Sequence, residues 1–546
     1  MTSDEQRIQT LLELLGLRLD DNVELTSLAN DYPLMRAQVD EMHRSAFDGL
    51  ARDISVPRRF SAGSANMPSP RGTALTIEAA AAALRDGTVS ALGLVTDVFA
   101  RIDRLDSTLG AYVSTFRQTA LEAAEHADRE LAAGDDRGPL HGIPLNIKDV
   151  ISTVEGPTRA NSLVEPPQWH GDRDAAVVAR LREAGAVIIG KTTTNEFALG
   201  PNDPVKGFPM PRNAWSADRY AGGSSSGAAI AVASGMALGA VATDTSGSIR
   251  HPSALNGVTG LKVTSGRVPT SGVIPLSPSQ DTVGPIARSA RDCALLLQVM
   301  AGFDAADPES SRLAVPSYLD AMDGVAHGVR IGWPKRYFFD EANVSDPVRL
   351  GVIAAIERLR DAGATVSEVE ISHADMARTA SIVVLLAEAL AYHRDALASH
   401  GADYGVYTRG LLARGVIYSA ADYVQAMKIG AMLRREVSEV MRDCDVLIVP
   451  TMPTGARLLN ETDPTMMDRW SSASFMAQWN LSGFPSCAVP VGCDGLGMPV
   501  SMQVIGRPFD ELTVLRVADA YQRLTDFHLA LPDPPDDRDS TLPTGA

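Results

Sequence analysis

The stretch GGSSSGAAIAVASGMALGAVATDTSGSIRHPSALNGVTGLKVTSGRV, Gly222 to Val268, decides the fold. It opens on a Gly/Ser turn, passes through small apolar residues, and carries the run ALGAVATD (237–244), which stops at Asp244-Thr245-Ser246-Gly247-Ser248. A short apolar run bounded by turn residues has the pattern of a buried strand. Working outward, comparable runs recur at PLNIKDVIS (144–152), AVIIGK (186–191), VRIGW (329–333), VLIVPT (446–451) and VSMQVIG (500–506). Helical stretches such as DAAVVARLREAG (174–185) and DPVRLGVIAAIERLRDAG (346–363) lie between several of them. This alternation predicts an α/β fold: a large mixed, mostly parallel β-sheet core flanked by helices on both faces.

The chain has 546 residues, more than the roughly 250–300 at which a single core usually stops growing. Residues 1–60 place apolar residues at three- and four-residue spacing, in LLELLGLRL and PLMRAQVDEMHRSAFDGLA, and read as an N-terminal helical extension. The expected uses of that extension are packing on the body, shaping the substrate entrance or a dimer contact, with the dimer contact favoured. PRRFSAGSANMPSPRG (57–72) is rich in Ser, Pro and Gly without periodicity, and the linker is placed at 61–74. From Leu75, helices open on capping residues, as in TIEAAAAALRDG and SALGLVTDVFARIDRL, so the main domain is placed at 75–531. The Pro-, Asp- and Ser-rich end, 532–546, reads as a frayed tail.

Composition narrows the function. A net charge of −18, spread without single-sign blocks, offers no electrostatic footprint for phosphate backbones or anionic lipid. The expected partner is therefore a small molecule rather than nucleic acid or membrane, with a homodimer as the candidate assembly. Acids at the start of MTSDEQRIQT argue against an export signal, so a cytoplasmic location is expected. Cys293, Cys444, Cys487 and Cys493 form no CxxC pair, which argues against structural zinc or a disulfide scaffold. The charge-free run 221–243 is built from Ala and Gly and is too weakly apolar to read as a membrane span.

Two motif matches are set aside on context. Gly185 to Thr192 fits G-x-x-x-x-G-K-[ST], but a helix precedes it and its variable positions form an apolar strand, so Lys191 reads as a strand-end residue rather than a phosphate ligand. Gly223-Ser224-Ser225-Ser226-Gly227 fits G-x-S-x-G, yet no strand pattern precedes Ser225, as a nucleophile elbow requires.

Three segments remain: LNIKDV around Lys148, AGGSSSGAAIAVASG around Ser224 and TDTSGSIRHPSALNG around Ser248. Only six of the 49 basic residues are lysines, so a lysine kept in an apolar setting raises the question of a deprotonatable amine, which guanidinium cannot supply. Strand alternation turns Asp149 away from Lys148, and desolvation then favours the neutral amine. Small residues around Ser248 let consecutive N–H groups converge on one spot, as an oxyanion site demands.

These segments resemble the defining stretches of the amidase signature family of serine amidases. HGIPLNIKDVI (141–151), DAAVVARLREAGAVIIGKTTTNEFALG (174–200), QDTVGPIARSARDCALLLQVMAGFD (280–304) and the region 480–515 resemble its other landmarks in order, over about residues 75–531. The resemblance implies Ser248 as nucleophile, Ser224 as a bridging serine after a cis peptide, and Lys148 as base. It implies an oxyanion hole from the backbone N–H groups of Thr245, Ser246, Gly247 and Ser248, with Ser225, Asp244 and Arg250 in support and no metal or organic cofactor. Ser246 stands where the family often has Gly, a strained choice if the position needs positive φ. Residues 158–162, TRANS, also depart from the usual pattern and make the substrate mouth near Arg159 unusual.

The implied activity is hydrolysis of an amide, anilide or carbamate bond of a small molecule through an acyl-enzyme. One alternative is the glutaminase (A) subunit of a glutamyl-tRNA amidotransferase. The N-terminal extension and AEALAYHRDALASHGADYGVYTRG (387–410) set the chain apart from that component. The other alternative is a non-catalytic binding member, against which all three triad residues argue.

Overall fold

The computed structural model describes residues 2–17, 19, 22–45, 74–166, 173–320, 322–340, 344–461 and 475–532. Its centre is one sheet of eleven strands: β1 (Tyr112–Thr115), β2 (Pro144–Lys148), β3 (Val187–Thr192), β4 (Gly239–Asp244), β5 (Thr259–Lys262), β6 (Thr282–Ala287), β7 (Arg330–Pro334), β8 (Thr365–Val369), β9 (Val446–Pro450), β10 (Ser486–Cys493) and β11 (Pro499–Ile505). Their order is β1-β3-β2-β4-β6-β5-β10-β11-β9-β7-β8. The sheet is mixed, but parallel pairing is confined to β3-β2-β4 and β9-β7-β8. The other six junctions are antiparallel, which corrects the expectation of mostly parallel pairing. The reason is local: β10 and β11 are joined by the tight turn Asp494-Gly495-Leu496-Gly497 instead of a crossover helix.

Every residue of β2, β3 and β4 is buried, as expected of strands covered on both faces. The helices Ile77–Arg85 and Ala91–Leu109 start where the sequence placed their caps: Thr76 Oγ1 accepts from Ala79 N at 3.1 Å and Ser90 Oγ from Gly93 N at 3.0 Å. The charge-free run folds into the helix Ser226–Ala233 and β4, and no helix among the described residues is long and apolar enough to cross a membrane.

The N-terminal region forms α1 (Ser3–Leu14) and α2 (Asn22–Ser45). Leu28, Met35, Val39 and Met42 bury one face of α2 against the helices Ala374–His400, Val406–Arg414 and Ala420–Val440. Charge pairs rim that face: Glu24 with Arg409 at 2.6 Å, Asp31 with Arg414, and Asp422 with both Arg36 at 2.7 Å and His43 at 2.9 Å. Packing on the body of the same chain is thus the role the structure gives these helices. The expected linker and tail lie outside the described residues, apart from Ala74 and Pro532.

Candidate functional site

β2 ends on Lys148, whose side chain is fully buried. Its Nζ donates to Ser224 Oγ at 2.7 Å and to Thr243 Oγ1 at 2.7 Å. Asp149 faces elsewhere, as alternation predicts: it accepts from Asn161 N at 3.2 Å and lies 3.8 Å from Lys191 Nζ. Burial pulls the Lys148 amine down from 10.5 to about 7, against the opposing pull of Asp244 and Asp281. Lys191 and Lys262 are equally buried, but Lys191 donates to Ile151 O and Thr158 Oγ1, and Lys262 to Val263 O and Phe484 O. Of the three buried lysines, Lys148 is the one set against a seryl hydroxyl. Lys191 sits within β3 on carbonyl and hydroxyl partners, in keeping with the strand-end reading.

The Gly223–Ser224 peptide bond is cis. A Cβ on Gly223 would lie 2.6 Å from Asn195 Oδ1, so a larger residue there would have to displace that side chain. One bond brings this turn against the Ser248 turn, Ser225 N donating to Ser248 O at 3.2 Å, and a second ties it to β4, Ser225 Oγ donating to Thr243 O at 3.2 Å. Ser225 leads directly into a helix and has no strand before it, consistent with declining it as an elbow nucleophile. Ser248 is 8% exposed, against 2% for Ser224 and 0% for Lys148, so the three groups run from the surface inward. Among the described residues the Ser248 hydroxyl has no hydrogen-bond partner.

Asp244 organises the turn that carries Ser248. It accepts from Gly247 N at 2.7 Å, Ile249 N at 3.1 Å, Arg250 Nη2 at 2.9 Å and Asn480 Nδ2 at 3.0 Å. Burial acts to raise its pKa, but the Arg250 guanidinium outweighs it and holds the carboxyl well below the usual range. This geometry bears on one expectation: the N–H of Gly247, expected among the oxyanion donors, is bonded to the Asp244 carboxylate in this structure. The positive φ falls on Gly247, at 126°, and Ser246 is not among the non-glycine residues with positive φ, so the serine there is unstrained. Thr243 and Asp281 were missed by sequence reasoning. Asp281 accepts from Thr245 Oγ1 at 2.6 Å and burial pushes its carboxyl up to about 6.

A neutral amine bonded to a hydroxyl can draw a proton through it from a second hydroxyl once that hydroxyl is brought against the first. That is the chemical capacity of the arrangement.

The A subunit of glutamyl-tRNA(Gln) amidotransferase from Roseiflexus sp. (strain RS-1) is 38% identical to the chain over 485 residues, covering 84% of this chain and 98% of that protein. The structure is similar to native peptide amidase from Stenotrophomonas maltophilia, with a TM-score of 0.73 and 31% identity over 84% of this chain and 98% of that one. It is also similar to the A subunit of glutamyl-tRNA(Gln) amidotransferase from Thermotoga maritima, with a TM-score of 0.69 and 28% identity over 85% and 98%. The relatives named for a tRNA amidotransferase overturn the expectation of a small-molecule partner without nucleic acid. Net charge summed over a whole chain does not report which partners a protein assembles with, and that is where the expectation failed. The family model described as Amidase matches residues 93–515, and on that match and these relatives the chain belongs to the amidase signature family of amide C–N hydrolases.

Proposed function

We propose that the chain cleaves the carboxamide of glutamine as the amide-hydrolysing component of a glutamyl-tRNA(Gln) amidotransferase. The observation that carries this reading is the 38% identity over 98% of a protein of that name. In the proposed route, neutral Lys148 takes the Ser224 proton as Ser224 takes that of Ser248, and Ser248 Oγ bonds to the carboxamide carbon. The oxyanion is met by backbone N–H groups among Thr245, Ser246 and Ser248. The proton returns through Ser224 to the departing nitrogen, the C–N bond breaks and ammonia leaves. Water then attacks the acyl ester through the same relay and frees the acid. The 2.7 Å contact from Lys148 to Ser224 supports the first step, and substrate binding closes the remaining Ser224–Ser248 contact, as is common when free sites tighten on their substrates.

The test is ammonia release from glutamine by the purified protein, alone and with whatever partner proteins co-purify, beside Ser248→Ala. An aryl anilide and a C-terminal peptide amide are run in parallel. Glutamine turnover by wild type only is the expected result. Cleavage of the anilide or peptide amide with no glutamine turnover, partners present, would overturn the glutamine reading while keeping the amide chemistry.

A further inference from the structure

The segment 193–200 connects β3 to the neighbourhood of Ser224, and one buried carboxylate in it joins three pieces of chain. Glu196 is 2% exposed and, among the described residues, makes no ion pair. It accepts from Ser162 Oγ at 2.6 Å, in the 158–162 loop expected at the substrate mouth. It also accepts from Gly405 N at 2.9 Å, at the start of the helix Val406–Arg414. Its neighbours extend the junction: Asn195 N donates to Ser224 O at 3.1 Å and Phe197 N to Ala160 O at 2.9 Å.

Backbone conformation marks the same place. Six non-glycine residues among those described have positive φ, and four of them are here: Ala160 at 51°, Asn161 at 52°, Phe197 at 50° and Ala198 at 59°. Left-handed conformations at such residues persist only where the surroundings over-determine them, and they gather at sites that must hold a geometry. Here the surroundings are Glu196 on one side and Asp149, which takes Asn161 N at 3.2 Å, on the other. Asp149 directly follows Lys148, so the mouth loop is strapped to both the lysine strand and the Ser224 turn. A buried carboxylate spent on a hydroxyl and a main-chain N–H, with no ion pair among the described residues and only the more distant pull of Lys206, is a costly way to join segments that apolar packing would otherwise hold.

We infer that Glu196 is a positioning residue for the reaction, keeping the 158–162 loop and the carbonyl side of Ser224 in fixed register so that substrate and proton relay meet. The inference rests on the Lys148–Ser224–Ser248 reading. Its test compares wild type with Glu196→Ala, Glu196→Gln and Ser162→Ala, measuring kcat and KM on the amide turned over in the panel above, the rate of labelling by a fluorophosphonate, and Tm. Since small misplacements of reacting groups cost up to about a hundredfold in rate, Glu196→Ala is expected to lose at least about tenfold in both labelling and kcat. Gln keeps a carbonyl for Gly405 N–H and an amide for Ser162, and stays within about threefold. Ser162→Ala, which cuts only the strut to the mouth, raises KM severalfold and leaves labelling unchanged. A folded Glu196→Ala with wild-type labelling and KM overturns the inference. Should that variant not fold, Ser162→Ala decides: raised KM at unchanged labelling supports it, unchanged KM overturns it. A wild type that is not labelled sinks the Ser248 assignment instead, and the KM comparison still reads Glu196.

Discussion

In the proposed route the chemistry turns on a lysine amine that burial leaves partly deprotonated at neutral pH. Burial brings Lys148 to about 7, so the base form fills as pH rises through that value. We therefore expect kcat/KM to climb to a plateau with a midpoint near pH 7. Asp281 favours the protonated amine, so Asp281→Asn should move that midpoint to lower pH; a shift upward would show that another group sets the limb. Lys148→Arg should be as inactive as Lys148→Ala, because guanidinium keeps its proton; near wild-type turnover by the Arg variant would remove the amine from the role. The same shift bears on stability with a definite sign. Below about pH 7 the amine is protonated in folded and unfolded chains alike and its burial cost is fully present; between about 7 and 10.5 the unfolded chain alone holds the proton, so this group's contribution to stability improves as pH rises. The segments around Lys148, Ser224 and Ser248 stood out because lysine is scarce here and the serines sit in small-residue turns, while their expected roles came from the family resemblance. Thr243, Asp281, Glu196 and Asn480 were not, since each acquires its part from a partner distant in sequence: Asn480 reaches Asp244 across 236 residues, and Thr243 meets Lys148 because β4 lies beside β2.

The strand–turn–helix unit from β4 through Arg250–Asn256 depends on two replaceable features. Gly247 holds φ at 126°, and a Cβ there would lie 2.8 Å from Met476 Cε. Gly247→Ala should leave a folded protein whose turnover falls at least about tenfold, since the turn carrying Ser248 must shift and small misplacements are costly in rate; unchanged kcat would mean that the turn tolerates the shift. Arg250 and Asp244 are both fully buried and doubly bonded to each other. Arg250→Met leaves that carboxylate without its cation, and urea denaturation should show a loss of about 3–5 kcal/mol. Elements with long apolar runs were readable, and β2, β3, β4, β7, β9 and β11 fall where those runs lie. β1 and β5 have four residues each, β5 includes a glycine and a lysine, and β8 at the sheet edge has no buried residue. Such strands are defined by their neighbours, so periodicity in the chain does not announce them.

Across the whole molecule, the N-terminal helices behave as a separate layer seated on the helices that follow β8. The family match begins at residue 93, after α2, so the layer lies outside the part of the chain that defines the family. Apolar periodicity made the helices legible, but their seat depends on pairs such as Glu24–Arg409, 385 residues apart, which no local pattern announces. Two kinds of contact hold the layer: the apolar face of Leu28, Met35, Val39 and Met42, and the part-buried pairs of Arg409 and Arg414 with Glu24 and Asp31. Charge-assisted bonds of this sort are worth about 1.5–3 kcal/mol each, so losing both should open α2 well before the sheet. In hydrogen exchange followed by mass spectrometry, the double variant Arg409→Ala, Arg414→Ala should exchange α2 amides at least about tenfold faster, on the rule that about 1.4 kcal/mol is a factor of ten, while β2 and β4 keep wild-type protection. Unchanged protection of α2 would assign its hold to the apolar face alone. Faster exchange in β2 as well would mean that the layer and the sheet open together, as one cooperative unit.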